Sequence, residues 1–244
     1  MDDIFDLQPW PKDAIYIESS LTLETPLCRY TRLENLLSLL NGNFFVSKRG
    51  SFCDMSEYKG DITEADFKFR LLIGNQYSAT DIKNVKDFLN VDAKNLFVSC
   101  WSSDTNESYL MWKAYTPDKY GVMIKASIHN IASSFGSPLP HIICSEMRYG
   151  KLLETMSILD ALFHKDTSYK DEKEVRFYIQ SLDSTLNINN TFFKISPTIM
   201  VDEIILSPFL SDTECLYIKD LLGNRFPEFK NKINSSVIKI KYNI

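Results

Sequence analysis

The chain has 244 residues, a formal net charge of −5 and 44% hydrophobic residues, enough apolar content for a sizeable core. The acidic balance argues against coating nucleic acid through bulk charge, although a local basic groove stays open. No apolar run approaches the ~20 residues that span a bilayer, so no membrane partner is expected.

Residues 1–13 are polar, hold Pro9 and Pro11, and read as a flexible arm. No Pro-, Gly- or Ser-rich linker follows, so 14–244 is expected to be a single domain. The start, Met1-Asp2-Asp3, is acidic and lacks an apolar leader. Five cysteines (Cys28, Cys53, Cys100, Cys144, Cys215) form no CxxC pair, which fits reduced thiols and a cytoplasmic protein. His129, His141 and His164 share no metal-ligand spacing, and no metal site is expected.

Ala14–Ile17 reads as a short edge strand, and 27–30 as a strand running into a helix. Thr31-Arg32-Leu33-Glu34 has the form of a capping box. Leu33, Leu36, Leu37 and Leu40 give the helical stripe and Gly42 its stop. A strand at 44–47 precedes an aperiodic, acidic loop over 50–61 with Asp54, Glu57 and Asp61. Amphipathic helices are expected at 62–73 and 80–90. Leu96–Ser102 is apolar on both faces and reads as a central strand. A helix over 106–115 follows, with Trp112 and Trp101 read as core. Next come a strand at 121–126, a helix at 128–135, a strand at 141–147 and a helical stripe from Leu152 to Phe163. Short strands at 192–195 and 204–206, a second capping box at Ser211–Glu214 opening a helix to Leu222, and a strand at 237–242 complete the chain. Strands mixed with helices, without regular βαβ alternation, predict an α+β fold on a central mixed, mainly antiparallel sheet flanked by helices.

The strand at 172–180 carries the chemistry. Glu172, Glu174, Arg176 and Tyr178 alternate with Lys173, Val175, Phe177 and Ile179; the second set becomes apolar and reads as the core side. Two carboxylates two residues apart on one face repel each other. Either the face is solvated and Arg176 offsets the repulsion, or it holds an active-site carboxylate with an orienting partner. Two upstream features join it: Arg29 beside Tyr30, and Ser99 with Ser102 on the central strand.

This chain order resembles the Arg–Ser–Glu arrangement of the ADP-ribosyltransferase superfamily, with the serines spaced one residue wider. Over nearly its whole length the chain also looks like a bacterial family known as domain of unknown function 2971. The matching segments are Arg29-Tyr30-Thr31, Phe52 to Glu57, Met111 to Tyr115 and Lys170 to Arg176. The resemblance implies a split-sheet fold and NAD as co-substrate. It implies transfer of ADP-ribose to an unidentified protein or nucleic-acid acceptor, or hydrolysis of NAD. It also implies a toxin or phage-defence setting with an antitoxin or immunity partner. Glu174 would stabilise the oxocarbenium-like ribose, and Glu172 would orient the acceptor or take its proton. Arg29 would grip the pyrophosphate, with Ser99 and Ser102 in support. Tyr30, or one of Tyr115 and Tyr120, would stack on nicotinamide. Asp54 and Glu57 would face ligand or acceptor.

Two other readings use the same residues. Asp171-Glu172-Lys173, with Asp54 upstream, has the acidic-x-Lys form of a Mg²⁺-dependent nuclease. A non-catalytic binding module would use Tyr30, Trp112 and the 50–61 loop.

Overall fold

The computed structural model describes residues 7–9, 15–18, 20–48, 96–136, 140–150, 163–180 and 192–239. The loop with Asp54 and Glu57, the helices expected at 62–73 and 80–90, and nearly all of the stripe from Leu152 lie outside them. The first strands in chain order are β1 (Leu7–Pro9), β2 (Ile15–Glu18), β3 (Pro26–Arg32), β4 (Asn43–Phe45) and β5 (Ser47–Lys48). Then come β6 (Leu96–Ser102), β7 (Gly121–Ser127), β8 (His141–Glu146), β9 (Arg148–Tyr149) and β10 (His164–Lys165). The last are β11 (Glu174–Gln180), β12 (Phe192–Lys194), β13 (Glu203–Leu206) and β14 (Ile233–Ser235). Most ladders are antiparallel; β2–β8, β9–β10 and β13–β14 are parallel. With helices set among them, this is the α+β class expected. Among the described residues no helix is long and apolar enough to cross a membrane.

The chain forms two compact units. The first comprises Met1–Thr22, Val46–Cys100 and Pro138–Thr191. Its strands run in the order β1-β2-β8-β11-β6, with β5 pairing to β6. Leu7–Pro9, within the stretch read as an arm, is laddered to β2. β11 lies between β8 and β6, and its register on β8 runs from Val175↔Glu146 to Gln180↔His141.

Of the two readings left open for β11, burial excludes the solvated face. The apolar face is buried as expected, with Val175, Phe177 and Ile179 at 0–1% exposure. The polar face is buried too: Glu174 is 4%, Arg176 2% and Tyr178 3% exposed. An interior strand covered on both faces has no solvated side, so its charged groups must find partners inside the protein. The strand also begins two residues late. Thr167–Glu172 forms a 3₁₀ turn, and Lys173 ends it in the left-handed conformation at φ 45°.

The second unit comprises Leu23–Phe45, Trp101–Ser137 and Phe192–Ile244. Its strands run β3-β7-β13-β14, with β4 paired to β12. Cys28, Tyr30, Trp112, Met123, Ile205 and Phe209 form a buried cluster, as expected for Trp112. Tyr30 meets Trp112 edge to face at 4.9 Å, and the Trp112 indole N–H donates to Glu107.

One capping box forms and the other does not. At Ser211 both reciprocal bonds with Glu214 are made, opening the helix Asp212–Arg225. At Thr31 the backbone is still in the β3 ladder opposite Val122, so the helix Leu33–Leu40 starts without a side-chain cap. The Thr31 hydroxyl accepts from Asn35 instead. The helix expected from Asn106 starts at Tyr109, because the Ser108 hydroxyl accepts from the Met111 amide and sets the boundary there. Among the described residues the last strand is Ile233–Ser235; 237–239 are not strand, and the rest of the strand expected to 242 lies outside the described residues.

Candidate active site

The first unit gathers its charges at the start of β11. Lys165, on β10, donates to Glu172 at 2.7 Å and to Glu174 at 3.1 Å. Its ammonium also lies 4.4 Å from the centroid of the Tyr169 ring. The other Glu174 oxygen accepts from Arg176 Nε at 2.7 Å, along the strand face that alternation assigned to both. The Cys100 thiol of β6 adds a hydrogen bond to the same carboxylate. The backbone is fixed as well: the Glu174 N–H donates to the Tyr149 hydroxyl at 2.9 Å, and its carbonyl accepts from the Met147 N–H at 2.8 Å.

Local conformation explains how Glu172 reaches the same lysine. Were the strand continuous, Glu172 and Glu174 would stand side by side. The left-handed Lys173, a conformation costing a non-glycine residue about 1–2 kcal/mol, turns the chain between them. Glu172 therefore comes from the 3₁₀ turn and Glu174 from the strand, and one ammonium bridges them. Two acidic and two basic side chains balance. The Glu174 and Lys165 side chains are 4% and 8% exposed, while Glu172 is 17% exposed and forms the wetter edge.

The electrostatics follow from that geometry. Burial alone would raise the Glu174 carboxyl, yet Arg176 and Lys165 hold it below its ordinary value. Burial alone would lower the Lys165 ammonium, yet Glu174 and Glu172 hold it above its ordinary value. Arg176 is likewise held well above its ordinary value: burial opposes the charge, and Cys100 and Glu174 outweigh it. The Tyr149 phenol is pushed up to about 12 by burial and stays neutral. Glu174 is thus a dehydrated, rigidly held carboxylate, charged at neutral pH.

Ser99 is buried on β6 in the first unit. Arg29, Tyr30, Ser102 and Tyr115 belong to the second unit. Arg29 donates to the Phe45 carbonyl and sits 5.3 Å from the Phe44 ring centroid. The Tyr30 hydroxyl accepts from the Ser108 N–H and its ring is in the core. Ser102 accepts from the Asp104 N–H. Tyr115 and Tyr120 are exposed. Lys173, which the nuclease pattern would use, is exposed on the turn.

Lys165, Tyr149, Cys100 and Tyr169 were missed from sequence. Only Arg176 carried a usable signal, its two-residue spacing from Glu174.

No family model matches the chain, and no curated protein matches it. Among solved structures it is similar to Thermus sp. 2.9 DarT in complex with ADP-ribosylated ssDNA. The identity is 13%, over 88% of this chain and 95% of that one, with a TM-score of 0.40.

Proposed function

We propose that the protein is an ADP-ribosyltransferase that uses NAD, with Glu174 as the carboxylate that meets the reacting ribose. One observation carries the reading: Glu174 is buried, ionised and held by Arg176 and Lys165 at the start of β11. Breaking the bond between ribose C1′ and the nicotinamide nitrogen sends the electron pair out with nicotinamide. C1′ gains a bond to an oxygen or nitrogen of the acceptor, or to water, and the proton of that group passes to Glu172 and on to solvent. Positive charge on the ribose exists only in between. A carboxylate that is already desolvated and oriented stabilises that charge without reorganising, which is the form of electrostatic catalysis that contributes most. The wetter Glu172 suits the acceptor side. The reading needs no metal.

The test is release of nicotinamide from NAD without added metal, together with transfer of labelled ADP-ribose into the protein, DNA and RNA fractions of a lysate. Release that depends on Glu174 supports the reading. No release, or nicking of nucleic acid that requires Mg²⁺, overturns it.

A further inference from the structure

We propose that Lys165 is a positioning residue of this site: by bridging Glu172 and Glu174 it lets both carboxylates occupy one enclosed corner while charged. Its meaning for catalysis rests on the reading above; the geometry does not. Glu172 alone would repel Glu174 across the turn at Lys173, and Arg176 reaches Glu174 from the strand side. Lys165 is the group that donates to both. Its place is set by β10, whose pairing aligns Lys165 with Tyr149 and so brings the ammonium to the side where Tyr149 holds the Glu174 amide.

The groups facing the pair can be named element by element. β9 offers the Tyr149 hydroxyl and β10 the Lys165 ammonium. The 3₁₀ turn offers Tyr169 and Glu172, β6 the Cys100 thiol, and β11 Arg176 with Tyr178 behind it. Removing Lys165 leaves two carboxylates against one guanidinium. The corner then holds one uncompensated negative charge, which a proton can relieve.

Glutamate carboxyl carbons labelled with ¹³C report this directly. In the wild-type protein Glu174 should titrate below its ordinary value. In K165M its midpoint should rise by about 1–3 units, the usual effect of losing an opposite charge at contact distance. K165R should keep it low. In K165M/E172Q, where Arg176 faces Glu174 alone, the midpoint should fall back. A lysine that merely filled space would give no such rescue. If K165M does not fold but K165M/E172Q does, the repulsion is shown through stability and the proposal stands. An unmoved midpoint in K165M, K165R behaving as K165M, or failure of both variants to fold overturns it. Nicotinamide release is followed on the same samples. If the wild-type protein releases none while the midpoints move as stated, the transferase reading fails and the role of Lys165 survives.

Discussion

Replacing Glu174 by Gln keeps the shape and removes the charge, and the burial of β11 sets the consequence for stability. Glu174 accepts two charge-assisted bonds, from Arg176 Nε at 2.7 Å and Lys165 Nζ at 3.1 Å. A glutamine has one acceptor oxygen, so one cation keeps a bond and the other meets an NH₂ group. Removing one partner of a buried ion pair costs about 3–5 kcal/mol, because a buried charge is left uncompensated. At about 2–4 °C per kcal/mol for a chain of this size, Tm should fall by about 6–20 °C. The pH dependence separates this from a packing defect. The folded-state pKa of Glu174 lies below its ordinary 4.5, so its contribution is complete above 4.5 and disappears as pH falls through the folded value. The gap between wild type and E174Q in urea unfolding should be full near pH 7 and narrow progressively as pH falls below 4.5. Turnover should fall by roughly 10²–10³ under conditions where the variant is folded. A gap independent of pH, or an unchanged Tm, would refute the assignment of Glu174 as a charged buried partner of Arg176 and Lys165.

Three further substitutions test separate parts of the molecule. Trp112→Phe keeps most of the ring volume in the second unit's core but leaves Glu107 without the indole N–H; urea unfolding should show a loss of about 1–3 kcal/mol. Gly121→Ala would drive a Cβ into the Thr116 side chain, and Thr116 is buried and bonded to the Trp112 carbonyl, so a Tm loss equivalent to about 1–3 kcal/mol is expected. Arg29→Ala removes the guanidinium that donates to the Phe45 carbonyl and lies beside the Phe44 ring, and urea unfolding should show a loss of about 1–3 kcal/mol; an unchanged midpoint would refute a structural role for it.

What the sequence made legible was periodic and local. Alternation put Glu174 and Arg176 on one strand face, and they are bonded there. Ser211 and Glu214 lie after a loop, where nothing competes for the backbone, and their capping box forms. Thr31 offers the same pattern but is still in a ladder, so the ladder wins. Alternation left the polar face of β11 open between solvent and an active-site carboxylate, because burial depends on groups outside the strand: Phe163 packs edge to face on Tyr178, and Lys165 pairs with Glu174. Lys165 was invisible for a related reason. A 3₁₀ turn and a left-handed residue separate it from Glu174, and no helical or strand period survives that path.

Stability alone is a poor account of the corner around Glu174. The other face of the same strand shows the inexpensive solution: Val175, Phe177 and Ile179 are buried without a polar partner to supply. Four charged side chains, by contrast, must be desolvated, and buried ion pairs roughly break even against apolar replacements of the same volume. Lys173 adds the cost of a left-handed backbone at the point where the two carboxylates are turned toward one ammonium. These costs fall at one place, and their common product is a pair of glutamates held charged at fixed positions, one enclosed and one at the wetter edge. A fold gains little from that arrangement. A reaction that develops positive charge beside one carboxylate and releases a proton beside another gains both of its requirements.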